Sequence, residues 1–153
     1  MRETFRPIAR NLSSLGAARY FFEECLSSGD PARETLWVAH VEAKGRCLHL
    51  ANYDGNDSSA PCPTENILAD VLENGTHGIF LAHNHPRGLH YPSRHDLLVT
   101  QQLATQTQAF RCAVLDHLIF AGTECTSFQQ LGLECWLQPG PFCLRPAASE
   151  RLS

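Results

Sequence analysis

The chain has 153 residues, 43% of them apolar, which is enough for one domain with a real core. Its formal charge is -4 with the histidines neutral, Lys44 is its only lysine and no basic run occurs, a poor electrostatic footprint for nucleic acid. No apolar stretch approaches the ~20 residues of a membrane helix, and the segment Met1 to Leu12 has arginines but no apolar signal-peptide core, so the expected setting is the cytoplasm.

In chain order, Leu15, Ala18, Phe22 and Leu26 recur at helical spacing, which predicts a helix over Ser14 to Leu26 that stops at Gly29. Glu34 to Glu42 and Cys47 to Tyr53 read as strands joined by a hairpin turn at Lys44-Gly45. Asp54 to Pro63 is rich in Asp, Asn, Gly, Ser and Pro and reads as a loop. Thr64 to Asn74 reads as a helix with Ile67, Val71 and Leu72 inward and Gly75 as its stop. Gly78 to Ala82 is a short apolar run, the pattern of a buried strand. A helix follows over about Arg94 to Thr107 and a strand over Phe110 to Phe120. Gly122 turns that strand into a short one at Glu124 to Ser127, and a brief helix at Phe128 to Leu133 closes the pattern. Strands alternating with helices give the α/β class, a mixed sheet with helices packed on it. The domain is expected over residues 1–135, with a loosely ordered tail from Trp136 to Ser153 that holds Pro139, Pro141 and Pro146. Seven cysteines (Cys25, Cys47, Cys62, Cys112, Cys125, Cys135, Cys143) without a CxxC pair read as reduced thiols, several of them buried, and not as a zinc knuckle.

The chemistry concentrates between positions 83 and 96, which read His83-x-His85-Pro86 and then Ser93-x-x-Asp96. Residues i and i+2 of a strand point the same way, so His83 and His85 would present both imidazoles at the end of the run 78–82. Pro86 stops regular pairing. Ser93 stands as an N-cap before the helical pattern, and Asp96 falls in its first turn, where a carboxylate suits the dipole. Two imidazoles and a carboxylate are three ligands of a catalytic zinc, with a fourth position left for water. The plain alternative for Ser93 and Asp96 is a capping box. The contiguous string His83-Asn84-His85 is not a sign of an HNH nuclease, whose letters lie scattered along a longer segment.

At these residues the chain resembles the JAMM (JAB/MPN) metalloprotease superfamily, whose signature is a distant Glu followed by HxH, seven residues, Ser, two residues and Asp. Within it the RadC branch is the nearer likeness, carried by Leu81 to Gly88, Pro92 to Asp96, Leu98-Val99-Thr100 and Val114 to Ile119. The likeness spans roughly residues 14 to 133 and implies a cytidine-deaminase-like three-layer domain. It also implies one Zn²⁺ per chain on His83, His85 and Asp96, Ser93 as donor to the developing oxyanion, and a glutamate base on an early strand. Glu34 fits that base, ahead of Leu36-Trp37-Val38; the rival is Glu65, at a helix start where a plain dipole role is commoner. Asp116-His117 matches a further family feature, read mainly as structural support and alternatively as a means of orienting a ligand imidazole. His40 and His49 read as ordinary strand residues, and His77, His90 and His95 as exposed, with His90 or His95 the alternative substrate contacts.

The implied activity is hydrolysis of amide bonds in a peptide or protein, including ubiquitin-like substrates. The alternatives are a DNA-repair factor or metal-dependent nuclease, opposed by the acidic charge, and a non-catalytic metal-binding scaffold, opposed by retention of all five site residues. Longer family members carry a helical segment ahead of this domain; too few residues precede Glu34 for it, which reads as a stand-alone catalytic domain. Departures cluster at the mouth of the site. Arg87 stands where the family has Ser, and Leu89-His90-Tyr91 is bulkier than usual, which bears on substrate choice. A guanidinium at Arg87 would favour a carboxylate beside the scissile bond; the alternative is an arginine facing solvent or a nearby acid.

Overall fold

The computed structural model describes residues 10–55 and 63–138, together with the backbone of strand β1 (Arg2–Phe5). Nine further elements follow: α1 (Leu15–Ser27), β2 (Thr35–Val41), β3 (Cys47–Asp54), α2 (Thr64–Asn74), β4 (Gly78–Asn84), α3 (Arg94–Gln108), β5 (Ala113–Ala121), β6 (Glu124–Ser127) and α4 (Glu134–Leu137). The strands form one mixed sheet in the order β1-β3-β2-β4-β5-β6. β4 and β5 run parallel and are joined by the crossover helix α3, while the other pairs are antiparallel.

Both faces of the sheet are covered, so β4 is apolar and buried on both sides. Val38, Ile79, Leu81 and Ile119 face Ile67 and Val71 of α2, Leu97 and Leu103 of α3, and Trp136 of α4. Trp37, Ala39, Phe80 and Phe120 face Ala18, Phe21 and Phe22 of α1. The result is the expected α/β domain in three layers. Ser14 caps α1 by accepting from the Ala17 N–H, and Gly75 ends α2 in the left-handed conformation (φ 59°). The Lys44-Gly45 turn joins β2 to β3, and Gly45 needs its φ of 90° there.

Four sequence expectations are corrected. Leu72 is 62% exposed, because on α2 the inward stripe is Ile67, Asp70 and Val71, and Leu72 lies one position past it. The strand expected from Phe110 begins at Ala113, since α3 ends in a tight turn in which Arg111 takes φ 56° and the Cys112 N–H bonds back to the Thr107 carbonyl. The closing helix lies at Glu134–Leu137, later than Phe128 to Leu133, which forms turns instead; Trp136 and Leu137 are buried, so the core extends past residue 135. Cys135 is disulfide-bonded, so the all-thiol reading fails there, while Cys25, Cys47, Cys112 and Cys125 are free. Strand β1 was not foreseen at all. Cys62, Cys143, most of the expected 54–63 loop and the tail after Gln138 lie outside the described residues. Among the described residues no helix is long and apolar enough to cross a membrane.

Candidate metal centre

The centre forms where the end of β4, the start of β2 and the first turn of α3 meet. His83 is the sixth residue of β4 and faces the α2/α3 side with Ile79 and Leu81. The chain continues through His85, whose N–H still donates to the Phe120 carbonyl of β5 (2.8 Å), and Pro86 then frees it from the sheet. The two Nε2 atoms of His83 and His85 lie 2.8 Å apart. Asp96 reaches both, with Oδ1 at 3.3 Å from His83 Nε2 and Oδ2 at 3.2 Å from His85 Nε2.

The capping box that sequence offered as the plain reading of Ser93 and Asp96 is present, and it serves the site. The Ser93 N–H donates to Asp96 Oδ2 (2.8 Å), and Ser93 Oγ accepts from the Asp96 N–H (3.1 Å). The cap therefore fixes the carboxylate that completes the triangle. Burial would raise the Asp96 carboxyl, but the imidazoles of His83 and His85 and the Ser93 amide hold it well below the usual carboxylate range.

Hydrogen bonds behind the triangle decide where the imidazole protons sit. The Thr100 hydroxyl donates to the Asp96 carbonyl (2.6 Å), so toward His117 Nδ1 (2.7 Å) it can only accept. His117 therefore carries its proton on Nδ1 and turns a lone pair on Nε2 to His83 Nδ1, 2.7 Å away. His83 must donate there, which leaves its own Nε2 lone pair aimed at the centre. His85 Nδ1 faces the Leu89 carbonyl (2.7 Å), donates to it, and likewise presents Nε2 as a lone pair. Burial pushes the His117 imidazole well below its ordinary value, which keeps that ring neutral. His117 thus contacts the His83 imidazole directly, the contact that the orienting alternative requires. Asp116 is the structural member of the pair: its carboxylate accepts from the Ser127 hydroxyl and from the His117 and Gln129 N–H groups, and burial raises its carboxyl.

Two nitrogen lone pairs and a carboxylate, 2.8–3.3 Å from one another, with His83 and Asp96 buried and His85 half-buried, repel unless a positive charge lies among them. The donor set fits a divalent cation with N and O ligands.

The Glu34 carboxylate joins this group, with one ligand atom from each of Glu34, His83 and His85 within 4.8 Å of the others. Asn84 holds it there. Its amide oxygen accepts from the Thr35 N–H (2.8 Å) and its amide nitrogen donates to the Arg33 carbonyl (2.7 Å), which grips the backbone on either side of Glu34. Sequence reading passed over Asn84; the available signal was an amide at the one HxH position that a strand turns away from the imidazoles. Glu65 sits exposed in the first turn of α2 and belongs to neither carboxylate–imidazole cluster found among the described residues.

A cleft of about 630 Å³ opens over Glu34 and His85, lined also by Ala32, Gly55, Pro86, Arg87 and Gly88. Arg87 is exposed at its rim. His90 is half-buried, with Nδ1 2.6 Å from Thr126 Oγ1 and its ring 4.4 Å from that of Tyr91, so it ties the site loop to β6. His77 and His95 are exposed, as expected.

Residues 12–133 match the model of the RadC-like JAB domain. A UPF0758 protein of Pseudoalteromonas translucida is 33% identical over 103 residues, 66% of this chain and 46% of the relative. A UPF0758 protein of Pelodictyon phaeoclathratiforme is 31% identical over 128 residues, 82% of this chain and 58% of the relative. The chain spans about half the length of these curated relatives. The family match, over most of the described sheet and every residue of the centre, shows that the chain belongs to the RadC-like JAB domain family.

Proposed function

We propose that the chain is a zinc-dependent hydrolase of amide bonds in peptides or proteins, with ubiquitin-like proteins among the candidate substrates. The observation that carries the reading is the convergence of a glutamate with two lone-pair-bearing imidazoles beside an open cleft. His83, His85 and Asp96 would hold the ion, one per chain. Zinc, when bound, supplies Lewis acidity and brings the pKa of a bound water toward ~7. Glu34 accepts the proton of the attacking water and returns it to the leaving amine. The Ser93 hydroxyl, whose oxygen already accepts from the Asp96 N–H, keeps its own hydrogen to donate to the developing oxyanion. Asn84 and His117 touch neither substrate nor water in this scheme; they position Glu34 and His83. Arg87 at the cleft rim favours a carboxylate beside the cut, either an acidic residue or a free C-terminus. A cytoplasmic setting rests on the free thiols of Cys25, Cys47, Cys112 and Cys125, and the disulfide at Cys135 opposes it.

The test is a screen of zinc-loaded protein on fluorogenic peptides, ubiquitin-like fusions and DNA, with Glu34→Gln as control. Cleavage of a peptide or fusion that the control lacks supports the reading. Cleavage of DNA alone, or equal turnover by the control, overturns it.

A further inference from the structure

A second set of ligand-type side chains lies at the other end of the same sheet face. His40 on β2 and His49 on β3 are directly opposed cross-strand partners, with ring centroids 5.2 Å apart. Asp70 reaches them from α2, its Oδ2 3.3 Å from His49 Nε2. One ligand atom from each of the three lies within 4.8 Å of the others. His40 is wholly buried and Asp70 almost so, while His49 keeps 17% of its side chain exposed, which leaves a way in from solvent. Thr76, just past the Gly75 cap, fixes the His40 ring through Nδ1 at 2.9 Å.

The register separates this cluster from the first. Leu36 pairs with His83 and His40 pairs with Ile79, so four residues of strand, ~13 Å, lie between the two along one face. Val38, Ile79 and Leu81 pack the space between them. The cluster repeats the donor types of the first centre, two imidazoles and a helix carboxylate.

The geometry points to a second cation site on His40, His49 and Asp70, which takes a zinc-class divalent ion and fastens α2 to the β2–β3 hairpin. Imidazole nitrogens with one carboxylate suit Zn²⁺, Co²⁺ or Ni²⁺ better than Ca²⁺ or Mg²⁺, which prefer oxygen alone. An ion held by side chains of three elements would couple its binding to the packing of α2 on the hairpin. The rival account is a metal-free polar lock in which His49 and Asp70 pair as His⁺ and carboxylate.

Zinc stoichiometry separates the two. The full chain, dialysed against Zn²⁺ and measured by elemental analysis, should hold two equivalents, and His49→Gln should hold one. The variant His83→Ala/His85→Ala should also hold one, should melt at a higher temperature when Zn²⁺ is added, and should give a visible Co²⁺ absorption band that His49→Gln abolishes on that background. Should His49→Gln fail to fold by circular dichroism, Asp70→Asn carries the same comparison. An unchanged zinc count on losing His49 or Asp70, or no zinc bound by His83→Ala/His85→Ala, overturns the proposal. A parent with one equivalent that falls to none in His49→Gln would support this site and remove the ion from the first, so the two readings fail separately.

Discussion

His83 Nδ1 and His117 Nε2 face each other at 2.7 Å, and only one of the two can carry the proton. Thr100 settles which, because its hydroxyl is committed to the Asp96 carbonyl. Thr100→Val should therefore release His117 from its tautomer without opening the core. The expected loss is ~10–100-fold in zinc affinity, measured by chelator competition. Equal affinity in the two proteins would mean that the chain of bonds has no part in holding the ion.

Glu34→Gln removes the proton acceptor and leaves the ligands in place. Its expected cost is ~10²–10⁴-fold in kcat with zinc content unchanged. Asn84→Ala should lower kcat in the same direction by a smaller factor, since Glu34 remains but its backbone loses both grips. Glu65→Gln should behave as the parent. A dispensable Glu34 with an essential Glu65 would move the base to the start of α2.

Arg87→Ser, compared with the parent on matched acidic and neutral peptides, should lower kcat/KM for the acidic partner only. The same ratio of kcat/KM in both proteins would leave Arg87 without a role in selection.

The free thiols should be inert in the folded state. Burial, with Cys47 beside it, pushes the Cys25 thiol up to about 12, and burial pushes Cys47, Cys112 and Cys125 up to about 11. Their folded values exceed the ordinary 9.0, so the stability they contribute is complete below pH 9.0 and is lost as pH rises toward 11–12. Alkylation at pH 8, followed by mass spectrometry, should label these four far more slowly than in urea, and the melting temperature should fall between pH 9 and 11. Fast native labelling would show that the packing around α1 is looser than described.

Trp136 closes the core from α4. Trp136→Ala should cost ~3–5 kcal/mol, read by urea denaturation. A loss below ~1 kcal/mol would return residue 136 to the tail.

What sequence made legible was local. Pro86 and Ser93 punctuate a strand, a loop and a helix, and two-residue and helical periodicities then place His83, His85 and Asp96 on one side. Two kinds of feature were not local. The grip of Asn84 on Arg33 and Thr35 depends on the β2–β4 register across some fifty positions. The meeting of His40, His49 and Asp70 depends on a hairpin register and on the rotation of α2, the same rotation that turned Leu72 outward.

Asp96 is both the N3 residue of α3's capping box and a ligand-type carboxylate. Whatever charge occupies the centre therefore governs how readily the first turn of α3 frays. The Asp96 and Leu97 amides, which bond to the Ser93 hydroxyl and carbonyl, should exchange with deuterium at a rate set by the ion. Their protection factors would then report occupancy of the centre without any substrate.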